Sequence, residues 1–66
     1  MSQFHVTSDE DVRRCKESVL SRMPVSISVV LDGEIRPRMF QGVVQSVQDR
    51  SGPKQNTRYL VTMIDD

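Results

Sequence analysis

VVLDGEIRPRMFQGVV, at positions 29–44, holds a strand, a turn and an obstacle to the next strand. The apolar run ends at Leu31, and Asp32-Gly33 supplies the positive φ angles of a two-residue hairpin turn. Arg-Pro-Arg follows at 36–38, where a second strand should settle into its ladder. Proline has no N–H to give that ladder and is tolerated only where a strand is an edge or has left the sheet. Arg36 and Arg38 are therefore expected to face solvent on a bent hairpin arm, an arrangement that also keeps an exposed edge from pairing with other chains. Gly42 invites a bulge farther on, so the second strand is bent or interrupted at both places.

Working outward, VSISVVL (25–31) alternates Val25, Ile27, Val29 and Leu31 with Ser26, Ser28 and Val30, the pattern of a half-buried strand. Before it, TSDEDVRRCKESVLSRMP (7–24) reads as a helix. Thr7 or Ser8 is the N-cap, Thr7 with Glu10 or Ser8 with Asp11 fits the capping-box spacing, and three acids complement the positive end of the dipole. Val12, Cys15, Val19, Leu20 and Met23 make one apolar stripe, with Arg13, Arg14, Glu17, Ser18 and Ser21 turned outward, and Pro24 stops the helix. MSQFHV (1–6) shows no period and reads as a flexible arm from which Phe4 or Val6 could staple the helix. Downstream, DRSGPKQNT (49–57) is a polar loop and RYLVTMI (58–64) a third strand. The order α-β-β-β over residues 7–66 gives a single α+β domain, an N-terminal helix packed on a bent three-stranded antiparallel sheet, SH3- or Sm-like and an incomplete barrel.

Sixty-six residues, 36% of them hydrophobic and with no Trp, one Tyr and two Phe, fill only a thin core. Such a domain sits near the lower size limit for folding without metal or disulfide, so homo-oligomerisation or a partner is an expected source of stability. Zero formal net charge argues against a dedicated duplex-DNA binder. Charge is nevertheless uneven, because residues 36–60 carry Arg36, Arg38, Arg50, Lys54 and Arg58 against Asp49 alone. Cys15 is the sole cysteine and can form no internal disulfide, and no apolar run is long enough for a signal peptide or a membrane span. These features point to a reducing cytoplasm and away from membranes.

The inventory for catalysis is thin. His5 is the only histidine and lies in the arm, while Cys15 lies on the apolar stripe, where it reads as a small core residue. One His and one Cys fall short of a structural zinc set, and DRSGPK lacks the length and Lys-Ser/Thr ending of a phosphate loop. The chain is therefore expected to be non-enzymatic and to need no cofactor. Two binding chemistries compete. Arginine forks engage phosphates and aromatics stack on unpaired bases, which would make Arg36, Arg38, Arg50, Lys54, Arg58, Tyr59 and Gln41, with Phe40, Gln45, Gln48 and Gln55 nearby, a single-stranded RNA surface. Val30 on the otherwise polar face of its strand, Met39 with Phe40 after the Arg-Pro-Arg corner, together an apolar spot rimmed by charge, and the open sheet edges instead suit a protein partner. The second reading ranks first.

The stretch MPVSISVVLDGEIRPRMFQGVVQSV, following a helix, resembles the first half of a bacterial Sm-like protein of the Hfq type on Pro24, Val25, Ser26, Ile27, Gly33 and Gly42. Pro37 and the long spacing between the turn and Gly42 have no counterpart in that pattern, so its RNA-binding residues do not carry over. The order helix, VVLDGE, bent strand, RYLVT also resembles the Rof family, small Sm-like proteins that bind the transcription terminator Rho. That resemblance implies a small bacterial or phage regulator acting on a larger protein in transcription or RNA metabolism.

Overall fold

The computed structural model describes residues 1–65 and contains four strands and one helix: β1 (Ser2–Val6), α1 (Asp9–Ser21), β2 (Val25–Val29), β3 (Arg38–Asp49) and β4 (Tyr59–Asp65). The strands form one antiparallel sheet in the order β1-β4-β3-β2, curled into a half-barrel with α1 against its inner face. Phe4, Val6, Val12, Cys15, Ile27, Val44, Val61 and Met63 are buried between the two layers. Across this interior the Phe4 ring of β1 stacks on Phe40 of β3, with centroids 4.3 Å apart. No helix of the described residues is long and apolar enough to cross a membrane.

The expected helix, sheet order from β2 onward and α+β class are present, and the sheet has four strands where three were expected. Residues 2–6, read as part of a flexible arm, are the missing strand. Phe4 and Val6 point inward and Gln3 is exposed, an alternation too short to stand out from sequence. Its partner is remote: Gln3 lies 59 positions from Thr62, to whose hydroxyl its amide donates at 3.2 Å.

The helix ends differ from their sequence signature. Ser8 is the N-cap, but no side chain caps the helix and neither capping box forms; the first turn closes through Val12 N–H to the Ser8 carbonyl at 3.0 Å. Arg22, not Pro24, ends it in the left-handed conformation at φ 62, its N–H donating to the Ser18 carbonyl at 2.8 Å.

The apolar stripe is also narrower than expected, since Leu20 is 86% and Met23 64% exposed. At about 100° per residue, Leu20 is rotated roughly 105° to one side of the mean direction of Val12, Cys15 and Val19, and Ser18 roughly 95° to the other, the side that faces the sheet. Ser18 is accordingly buried. Its hydroxyl donates to the Met23 carbonyl at 2.7 Å and accepts the Val44 N–H at 3.1 Å. The β2–β3 ladder begins at Val25 opposite Gly42, and extrapolating its register would place Met23 opposite Val44. Pro24 breaks that continuation, and the Ser18 hydroxyl stands in for one rung.

The turn after β2 departs as well. Among residues 31–34 only Gly33 has positive φ, at 82°, and Glu34 N–H donates to the Leu31 carbonyl at 3.0 Å. This is the signature of a type II turn, not a two-residue hairpin. Pro37 then lies wholly outside the sheet, one residue before β3, so it interrupts no ladder. The bulge falls at Gln45, between the pairs Val44–Met63 and Ser46–Thr62, and not at Gly42. Gly42 instead takes φ 150 where pairing of β3 passes from β2 to β4.

Candidate functional site

Beginning from the residues singled out in the sequence, the structure disperses them. Arg36 is exposed in the loop between β2 and β3, without an ion-pair partner among the described residues. Arg38 opens β3 and is held by the Glu34 carboxylate at 2.9 Å. Met39, 61% exposed, and Gln41, whose amide donates to the Ser26 hydroxyl at 3.2 Å, lie on the outer sheet face. Arg50 and Lys54 lie in the loop between β3 and β4, Arg50 donating to Gln48 Oε1 at 3.0 Å. Tyr59 is half-buried, with the Lys16 ammonium 5.1 Å from its ring centroid. Arg50 and Arg58 are neighbours through the Arg50 N–H to Arg58 carbonyl bond at 2.7 Å, but no single surface gathers all eight residues.

Both aromatics that could have stacked on bases have internal partners, Phe40 on Phe4 and Tyr59 under Lys16. Cys15 is wholly buried, and that burial, followed by the nearby Asp11 carboxylate, pushes its thiol from 9.0 up to about 11. A thiol so protected is a packing residue rather than a nucleophile. Asp49 has a carboxyl held below its ordinary range by the Ser51 N–H, which it accepts at 2.8 Å to start the β3–β4 loop.

A sizeable concavity lies elsewhere, between the two outer strands of the sheet. β1 and β2 are both edges, and they flank a groove of about 490 Å³. Its floor is apolar, formed by Phe4, Val29 and Leu31, and Val30, 57% exposed, stands at its rim. Its far end is polar: Thr7, Ser8 and Asp11 come from the start of α1, Asp32 from the turn, and Gln55 and Arg58 from the β3–β4 loop. Arg58 spans this end, 3.7 Å from the Asp32 carboxylate and 3.4 Å from Gln55 Oε1. Thr57 donates to Asp9 at 3.1 Å, tying the same loop to the helix start.

Of the groove residues, sequence reasoning singled out Arg58 and Gln55 for nucleic acid and Val30 for a protein partner. β1 supplies one wall, and reading it as an arm hid that wall. The Phe4 and Val6 alternation was the one available signal.

Comparison of the chain with protein-family models, with curated proteins and with solved structures yields no match.

Proposed function

We propose that this chain is a non-enzymatic binding module that takes an extended segment of a larger protein partner into the groove between β1 and β2. The observation that carries this reading is a pair of sheet edges facing one another across an apolar floor. An edge strand offers a row of backbone donors and acceptors, which an extended peptide satisfies by adding as a further strand, while side-chain pockets select among peptides. Neighbouring strands are antiparallel throughout, so β1 and β2 run in opposite directions. A segment in the groove pairs with one edge, because β1 and β2 approach within 8 Å, too near for a strand to pair with both. Alternate side chains of that segment would reach Phe4, Val29 and Leu31 on the floor. The Rof-like order of elements agrees with a protein partner.

Direct RNA binding is the second reading, favoured by the exposed Arg36, Arg50 and Lys54. It lacks free aromatics for base stacking, the usual companion of such cations. The test is affinity capture from a bacterial lysate with and without nuclease, using three proteins: wild type, Val30→Asp, and Arg50→Ala with Lys54→Ala. Strand addition predicts nuclease-resistant capture of a protein that Val30→Asp abolishes and the double variant retains. Capture that disappears on nuclease treatment and in the double variant, with Val30→Asp harmless, would overturn it in favour of RNA.

A further inference from the structure

The outer face of the sheet is free of formal side-chain charge. Its outward positions are Gln3 and His5 on β1, Leu60, Thr62 and Ile64 on β4, Val43, Ser46 and Gln48 on β3 past Gly42, and Met39, Gln41, Ser26 and Ser28 on the β2 side. Shared orientation is shown by two bonds across strands, Gln3 to Thr62 and Gln41 to Ser26, both at 3.2 Å. None of these residues is Asp, Glu, Lys or Arg, although such residues make up 27% of the chain. The charged residues that fall in strands are Arg38, Asp49 and Asp65, each at a strand end. Solvent-facing strand positions elsewhere use charge to prevent association, and loss of charge together with exposed apolar groups marks the centre of an interface. Here Met39 is 61% and Ile64 51% exposed.

We propose that this face is a homodimer interface, in which two copies pack sheet against sheet about a two-fold axis lying between them and crossing β4 at Thr62. Two observations select a second copy as occupant. The net charge of the chain is zero, so copies approach without long-range repulsion. A two-fold axis also sets side chains at its centre against their own images. Charged residues there would meet like charges, whereas Thr62, and Ser46 and Gln3 on either side of it, can donate to and accept from their own images. The same axis lays Leu60 of one copy over Ile64 of the other, and Val43 over Gln48. Because the sheet curls away at its edges, the contact centres on β4 with β1 and β3 beside it, roughly 14 Å across and about 17 Å along, well below the standard interface size, so the dimer is a weak and transient one.

Sedimentation equilibrium from about 5 to about 500 μM tests this, with the mass average expected to climb from 7.6 kDa toward twice that value. Thr62→Lys and Thr62→Glu each put like charges across the axis and should raise the dissociation constant about tenfold or more. Mixing the two variants should restore association, because opposite charges then face each other. Ser46→Lys and Ser46→Glu, at an exposed position on the same axis, repeat the test should the half-buried Thr62 not tolerate charge, with circular dichroism verifying the fold. A single mass of 7.6 kDa at every concentration would overturn the proposal. So would a dimer indifferent to these charges, which would place the contact on another surface.

Discussion

Replacing Ser18 with Ala tests the packing of helix on sheet at its least obvious point. The Ser18 hydroxyl is 3% exposed and holds two backbone groups, the Met23 carbonyl at 2.7 Å and the Val44 N–H at 3.1 Å. Val44 is buried, so its N–H loses that acceptor to a methyl group that cannot accept. A buried donor left unsatisfied costs about 1–3 kcal/mol. Met23 is 64% exposed and its carbonyl can turn to water, so the second bond adds little. The expected loss is about 2 kcal/mol, set against a total of about 3–10 kcal/mol for a chain of this length. That is about a 10 °C fall in melting temperature for a domain of this size. Urea unfolding followed by circular dichroism measures the loss, and amide exchange at Val44 locates it. A loss under about 0.5 kcal/mol with the Val44 amide still protected would show that the strands close up to form the rung directly, and that the hydroxyl is dispensable.

Gly42 sits at φ 150 inside the core where β3 changes partners, so Gly42→Ala should destabilise by about 1–3 kcal/mol, read from the urea midpoint. Leu20→Lys should change stability by less than about 0.5 kcal/mol despite its apolar residue type, since Leu20 is 86% exposed; a loss near 2 kcal/mol would return it to the buried stripe. Cys15 titrates upward on folding, from 9.0 to about 11, so its contribution is fully present below pH 9 and is lost as pH rises toward 11. Wild type should therefore weaken over that window by ~2–3 kcal/mol more than Cys15→Ala, measured as urea midpoints against pH. In the native protein the same thiol should react with an aromatic disulfide only as fast as the fold opens.

What the sequence made legible was whatever depends on near neighbours. The helix span follows from its spacing, β2 from a clean alternation of Val and Ile with Ser, and the exclusion of Pro37 from the ladder from its missing N–H. What it hid depends on distant ones. β1 is five residues whose strand character comes from pairing with Thr62 and its neighbours at the other end of the chain. Ser18 has the composition of a surface residue and becomes a core residue only because Pro24 interrupts a ladder it can complete. The capping box failed for a related reason, since spacing permits such a bond without requiring it. The site suffered most. Basic residues close in sequence were grouped into one surface, whereas folding divides them among Glu34, Gln48 and Asp32 and leaves Met39 and Gln41 on another face.

The position of β1 connects these observations with the proposed activity. Its inner residues Phe4 and Val6 are 3% and 0% exposed, so the strand is anchored by its side chains as firmly as any in the sheet, yet its backbone pairs on one side only. β2 is in the same position, with Ile27 and Val29 buried and one edge unpaired. The curl that brings Phe4 onto Phe40 draws the two edges toward each other, and the remaining opening lies over the apolar floor between them. A flat sheet with the same edges would offer two separate sites, each exposed to indiscriminate pairing. In the half-barrel they share one opening, so a guest of the proposed kind would meet an edge and the floor together, a requirement that would select among extended segments.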